Sequence, residues 1–396
     1  MDLKVFLNCF PPTSLYMPSI GCQILSSYIR EKANIESEVI YWNHLFQEKE
    51  NHEDNLFQSD SDFYRILPFL AILTGQENTE VVNRILLKMQ ECNPSFKTLG
   101  ENYYREKLSN QISRIYDTIE AEIEKLPTNR QLIFGISAKF DSWIPGIVVT
   151  KEVKKRIPSA ICVLGGLEEK NAASILFKKY DVFDFAIWGE GEVPLNMLIE
   201  SIKNNKNDFS DIPRLIFRSN PEEAQKTTEA IDKTGFIDLK DYPQIDYGSY
   251  FQQAINIDKK EIQLPIEISR GCRWNKCNFC ALSWGNSYRT QNFEKVIDQI
   301  KANYQTHKIV RYFFVDNDIV GRNLILFEKF LDRLIDLSSH LEVDFDFHAD
   351  ILHLNFNKEL IKKLSLAGFK SVQVGYEVYD VKTNWTNRYL KLRDTF

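Results

Sequence analysis

The sequence is short of several things, and each shortage argues against a class of protein. Basic residues do not outnumber acidic ones: 49 Lys and Arg stand against 55 Asp and Glu, a net charge of −6 with a pI near 5.7. A nucleic-acid surface needs a basic excess or stripe, so none is expected. The basic cluster KEVKKRIP (Lys151 to Pro158) reads instead as the solvated face of a helix. No apolar run is long enough to span a bilayer. The best, ILPFLAILTG from Ile66 to Gly75, falls well short of the ~20 residues a spanning helix needs. The opening MDLKVFLNCFPP has an acidic second residue and no small-residue cleavage site, so it is read as a first strand and not as a signal peptide. A cytoplasmic, reducing setting is therefore expected, in which clustered thiols serve as metal ligands or catalysts and not as disulfides. Short internal repeats and low-complexity tracts are also missing. What remains, 43% hydrophobic and 26% charged residues in a chain of 396, is ordinary globular composition with room for two or three cored domains.

The hydrophobic pattern predicts an α/β protein. LKVFLNCF (Leu3 to Phe10) and SEVIYWN (Ser37 to Asn43) read as strands, with a helix between them spaced on Ile20, Ile24, Leu25, Tyr28 and Ile29. From about 45 to 129 the pattern turns to long amphipathic helices, read as an insertion. Strands QLIFGIS, AICVLGG and DFAIWG then alternate with helices. Residues 1–203 are thus expected to form a doubly wound, Rossmann-like parallel sheet. Residues 204–264 read as a polar linker holding one hairpin, RLIFRSNPEEAQKT. A second βα series occupies 265–396, with strands LPIEISRG, VRYFFVDND, VDFDFHAD and KSVQVGYE. That is the grammar of a partial β/α barrel of about four units, with its sites at the C-terminal strand ends.

Cysteine is scarce, seven residues in all, yet Cys272, Cys277 and Cys280 fall within nine positions directly after the strand LPIEIS. Thiolates ligate structural zinc and iron–sulfur clusters. A closed zinc site wants four protein ligands, and the nearest histidine in sequence, His307, lies beyond a predicted helix. A 4Fe-4S cluster held by three thiolates keeps one iron open for a substrate or cofactor. An open-site cluster is the preferred reading, and a zinc-stabilised α/β binding protein is the alternative.

The motif CRWNKCNFC, flanked by SRG and AL, resembles the loop of the radical S-adenosylmethionine (SAM) enzymes, usually C-x3-C-x-aromatic-C, with one extra residue in the first spacer. The flanks look like those of the cobalamin-dependent branch that modifies ribosomally made peptides. The resemblance implies that Cys272, Cys277 and Cys280 hold a 4Fe-4S cluster whose open iron chelates SAM. Reductive cleavage of SAM then yields a 5′-deoxyadenosyl radical that abstracts hydrogen from an unactivated carbon. Phe279 would pack near the adenine, and Asp316, Asn317 and Glu377, at later strand ends, would face SAM; a strand-end Asp or Asn can equally be a helix cap. The first domain resembles the branch's cobalamin-binding module. Ser137, Gly165, Gly166, Gly189, Glu190 and Gly191 follow three successive strands, where doubly wound sheets bind ligands. The D-x-H-x-x-G motif that supplies a lower cobalt ligand is missing after the first strand, as in relatives of this branch. The resemblance implies C-methylation of a peptide, supported by an external electron donor such as flavodoxin or ferredoxin.

Radical SAM barrels usually have six βα units, whereas four are counted here before the sequence ends. A shortened or frame-disrupted product, or a fragment that needs a partner, is expected. Two alternatives to methylation follow: a non-catalytic cobalamin binder or pseudoenzyme, and a cobalamin radical SAM enzyme performing a rearrangement.

Overall fold

The structure is a computed structural model that describes residues 2–48, 65–75, 79–92, 101–218, 235–274, 288–352 and 357–374. The chain divides into two compact units. The first comprises Met1–Leu15, Gly21–Ile237 and Ile245–Asn256; the second comprises Tyr16–Ile20, Asp238–Gln244 and Ile257–Phe396.

The first unit is built on β1 (Leu3–Cys9), β2 (Glu36–Tyr41), β3 (Gln131–Ser137), β4 (Ile161–Leu167), β5 (Phe185–Trp188) and β6 (Leu215–Phe217), in the order β2-β1-β3-β4-β5-β6. All neighbours are parallel except β5 and β6, which run antiparallel. β1 and β3 are buried almost throughout, which is why they read as unbroken apolar runs rather than as alternating ones. The crossovers are α1 (Ile20–Lys32), α6 (Trp143–Arg156) and α7 (Lys170–Lys179), while α8 (Glu192–Lys203) leads from β5 to the antiparallel β6.

Between β2 and β3 lie α2 (Trp42–Glu48), α3 (Leu67–Thr74), α4 (Thr79–Cys92) and α5 (Glu101–Ile123), so the expected helical insertion is present. The apolar run at Ile66 to Gly75 is α3. Phe69 enters the core of the sheet while Leu67 and Ala71 enter a second core shared with α4 and α5. A helix packed on two sides is apolar nearly all round. Among the described residues no helix is long and apolar enough to cross a membrane.

One buried amide ties this core together. The Trp42 indole N–H donates to Asn8 Oδ1 at 2.8 Å, and Asn8 Nδ2 donates to the carbonyls of Gly135 and Phe6 at 2.9 and 3.1 Å. The basic end of α6 is spent inside the unit: Lys154 pairs with Asp184 at 2.6 Å and Arg156 with Glu120 at 2.8 Å.

The stretch 204–264 does more than connect. β6 extends the first sheet and covers the edge of β5, the usual protection for an exposed edge. The second arm of the expected hairpin lies outside the described residues. α9 (Gly248–Gln253) packs on β2, where Gln253 accepts from the Tyr41 N–H and donates to the Val39 carbonyl, both at 2.8 Å.

The second unit carries a parallel sheet of β7 (Leu264–Ile266), β10 (Arg311–Phe314), β11 (Asp346–Ile351) and β12 (Phe369–Val374), in the order β12-β11-β10-β7. These are the four strands expected from sequence. A two-residue ladder joins β8 (Ser269–Arg270) to β9 (Arg289–Thr290). Helices α10 (Phe293–His307), α11 (Leu324–Leu341) and α12 (Lys358–Leu366) alternate with the strands. Each begins with an asparagine, Asn292, Asn323 or Asn357, whose side chain accepts a first-turn N–H. Their apolar stripes cover one face of the sheet, where Tyr312, Phe314, Phe345, Phe347 and Phe369 form a chain of ring contacts that Phe330 of α11 meets edge-on at Phe314. The other face is polar. There Arg311 donates to Asp346 at 3.0 Å, Asp346 meets His348 Nε2 at 2.7 Å, and His348 Nδ1 lies 2.6 Å from Ser371 Oγ.

Candidate functional site

In the first unit, every residue singled out from sequence lies at the C-terminal edge of the parallel strands. Ser137 and Gly165 are register partners at the ends of β3 and β4. The Ala138 N–H donates to Gly165 O at 2.8 Å and the Gly189 N–H to Leu167 O at 2.7 Å, so the ends of β3, β4 and β5 are tied in sequence. The order β2-β1-β3-β4-β5 reverses direction beside β1, and such sheets bind ligands outside their carboxyl ends at that point.

The glycines are not equivalent. Gly166 has φ of +79°, and a Cβ there would sit 2.8 Å from both the Ala138 nitrogen and Ser137 Oγ. Gly189, at φ +72°, faces the Arg214 side chain, and a Cβ at Gly191 would come within 3.2 Å of Leu25. These three serve turns and close approach within the protein. Gly165 alone of the four is open, its nearest neighbour to a Cβ being the Ile136 carbonyl at 3.5 Å.

Sequence reasoning missed Arg214. Buried at 4% exposure, it donates to the carbonyls of Glu190 and Gly235 at 2.8 and 2.9 Å and lies over the Phe236 ring. It therefore holds the Gly189–Gly191 turn from the start of β6. Trp188, at the end of β5, was also missed: its buried indole N–H finds no acceptor among the described residues. An open glycine and an orphaned donor on one sheet edge fit a bulky polar cofactor, where the missing acceptor would be supplied.

In the second unit, Cys272 follows β8 and is half-buried with a free thiol. Cys277, Cys280, Phe279 and Glu377 lie outside the described residues. Among the described residues no group of three His, Cys, Asp or Glu side chains is placed to hold a metal ion. The base of the cysteine loop is nonetheless well defined. β8 and β9 pair Ser269 with Thr290 and Arg270 with Arg289, so the two ends of the loop are held side by side. Gln291 closes the neck further, its N–H donating to Ile268 O at 2.8 Å and its side chain to Glu267 O. Gly271, at φ +80°, turns the chain out of the neck and into the first thiol.

Asp316 is 2% exposed, and its carboxylate is committed to this neck. It accepts from the Ile268 N–H at 3.1 Å, the Ser269 N–H at 2.5 Å and the Ser269 hydroxyl at 2.6 Å. Burial pushes its pKa up to about 7 despite these donors. Asn317 beside it is half-buried and makes no side-chain hydrogen bond among the described residues. Asp318, which sequence reasoning did not single out, is buried between the end of β11 and the loop. It accepts from the Leu352 N–H at 3.1 Å and pairs with Arg273 Nε at 2.7 Å, while Arg273 also donates to Gly321 O at 2.7 Å. The alternation in VDND was the available signal, since residues two apart on a strand end share a side. Asp350, on the polar face of β11, has a raised pKa through burial and an Oδ1 without a partner among the described residues.

No family model matches the sequence. A curated relative, the anaerobic magnesium-protoporphyrin IX monomethyl ester cyclase of Synechocystis sp., is 26% identical over 224 residues, covering 52% of this chain and 41% of the relative. Among solved structures, the cobalamin-dependent S-adenosylmethionine radical enzyme OxsB with aqua-cobalamin bound has a TM-score of 0.60 at 14% identity. That match covers 99% of this chain and 47% of OxsB. The radical S-adenosylmethionine methyltransferase TsrM from Kitasatospora setae, with cobalamin and a 4Fe-4S cluster bound, has a TM-score of 0.59 at 14% identity, covering 96% and 62%. The chain thus shares its α/β fold with cobalamin-dependent radical SAM enzymes and spans less than two thirds of the length of each of these three proteins.

Proposed function

We propose that this chain is the cofactor-binding portion of a cobalamin-dependent radical SAM enzyme and that its reaction is C-methylation of an unactivated carbon in a peptide. The single observation that carries the reading is the neck at Ile268–Arg270 and Arg289–Gln291. It presents a three-cysteine loop at the C-terminal end of the first strand of a parallel sheet, in a chain whose first unit is doubly wound with an open ligand edge. Cys272, Cys277 and Cys280 would hold a 4Fe-4S cluster, and Gly165, Ser137 and Trp188 would meet cobalamin. When bound, the cluster and SAM supply a 5′-deoxyadenosyl radical and cobalamin supplies a methyl carrier. The protein's own task is placement. The strand ends tie the first edge into one surface, and the neck fixes where the first thiolate emerges. The half-buried Asn317 and the orphaned Asp350 offer polar contacts for SAM. The electron would come from an external flavodoxin or ferredoxin in a reducing, cytoplasmic setting.

A second reading is favoured by the curated relative, a cyclase: ring-forming or rearrangement chemistry on the same cofactors. The test is anaerobic purification with cluster reconstitution, followed by iron, sulfide, cobalt and 5′-deoxyadenosine assays. Brown iron–sulfur absorbance that disappears on replacing the three cysteines by alanine supports the reading. Zinc without acid-labile sulfide, or cobalamin uptake without SAM cleavage, refutes it. Methylated product alongside 5′-deoxyadenosine separates methylation from rearrangement.

A further inference from the structure

The cysteine loop leaves the sheet between two buried carboxylates that lie two residues apart at the end of β10. Asp316 takes three donors from Ile268 and Ser269, four and three residues before Cys272. Asp318 takes Arg273, the residue directly after Cys272, and at the same time the Leu352 N–H. Their residues are 2% and 1% exposed, so neither carboxylate is solvated by bulk water and each needs its partners.

We infer that Asp316 and Asp318 form a seat for the loop, positioning Cys272 from both flanks so that the first thiolate is set in place before any metal arrives. The inference rests on the cluster reading above, and it assigns these residues a positioning role rather than contact with SAM. The chain of contacts is short. The backbone at Cys272 has few free torsions between Ser269, pinned to Asp316, and Arg273, pinned to Asp318 and Gly321. Metal ligands held by such outer contacts lose about 10- to 100-fold in metal affinity when the contact is removed.

The seat is separable from the fold by mild substitutions. Asp318→Asn keeps an oxygen for the Leu352 N–H but removes the charge facing Arg273. Ser269→Ala removes one hydroxyl donor to Asp316, and Ser269→Thr restores it. The full chain is reconstituted with iron and sulfide under anaerobic conditions, then challenged with a ferrous chelator while thermal unfolding is followed in parallel. The expected result is iron stripped about 10- to 100-fold more readily from Asp318→Asn, a smaller loss from Ser269→Ala, wild-type retention in Ser269→Thr, and little change in the unfolding temperature. Unchanged retention in folded Asp318→Asn and Ser269→Ala overturns the inference. So does iron loss that merely tracks unfolding.

Amide exchange on the metal-free chain distinguishes this from failure of the cluster reading. Protected Ile268 and Ser269 amides that open in Asp316→Asn support the seat even if the unvaried chain takes up no iron–sulfur cluster. Rapid exchange of both amides in the unvaried chain refutes the seat whatever the metal content.

Discussion

Adjacent glycines at the end of β4 should respond oppositely to the same substitution. At Gly166 an added Cβ meets φ of +79° together with a backbone nitrogen and a hydroxyl at 2.8 Å and the Ser137 Cα at 3.2 Å. The left-handed conformation costs alanine roughly 1–2 kcal/mol. Crowding that must move backbone costs about 1–3 kcal/mol more. Loss of unfolded-state freedom returns about 0.4–1 kcal/mol, which leaves Gly166→Ala destabilised by about 1–5 kcal/mol. For a unit of this size that lowers the unfolding temperature by on the order of 10 °C. At Gly165 the only neighbour is a carbonyl oxygen at ordinary contact distance, 3.5 Å. Gly165→Ala should therefore stay within about 1 kcal/mol of the parent yet weaken cobalamin uptake, because its Cβ would project from the open edge. Thermal unfolding followed by tryptophan fluorescence reads the first unit through Trp42, fully buried in its core, alongside the second unit's Trp274, Trp284 and Trp385, so the first-unit transition is the one that shifts in Gly166→Ala. Equilibrium dialysis against aqua-cobalamin reads the second effect. Equal stability of the two variants would refute the close-approach argument, and unaltered uptake by Gly165→Ala would refute the placement of the cofactor.

Three further outcomes are expected. His44 is buried against the edges of Tyr41 and Tyr250, and burial, aided by the charge of Arg65, lowers its pKa to about 4. The unfolded chain, whose histidine protonates near 6.5, binds the proton first. Stability is thus fully present above that value and declines by about 3 kcal/mol as pH falls to about 4; urea titrations of His44→Phe should lack this slope. Arg214→Met strips two carbonyls of a charged donor and should cost about 2–4 kcal/mol while loosening the Gly189–Gly191 turn, read as weaker cobalamin uptake in dialysis. Phe314→Ala empties a fully buried site stacked on Phe369 and edge-on to Phe330. It should cost about 3–5 kcal/mol, seen as faster amide exchange across β10 and β11.

Much of the fold was legible because its signals are local. Strands β1, β3, β4 and β5 announce themselves as apolar runs, and the asparagines ahead of α10, α11 and α12 mark where those helices begin. What escaped was set by partners far away in sequence. LIF of β6 reads as one arm of a hairpin, but that it pairs with the edge of β5 is decided by packing. Arg214 reads as an ordinary surface cation until the turn 24 residues earlier is seen to need its donors.

The same division runs through the candidate site. Three thiols in nine positions after a strand state their own chemistry, because thiolate softness and ligand number are properties of residue type and spacing. So does the alternation of two βα series, which sets a doubly wound sheet ahead of parallel strands. Tertiary structure alone decided which strand-end residues support the loop and which are open. Asp316 meets Ser269 across 47 residues, and the same kind of carboxylate two positions on is claimed by Arg273. Gly165 and Gly166 look identical in the string CVLGGL, yet one is forced by a neighbouring strand end and the other is free. A side chain's type fixes what it can bond to; only the packed chain fixes what is within 3 Å of it, because hydrogen bonds and steric contact act at that range and not along the sequence.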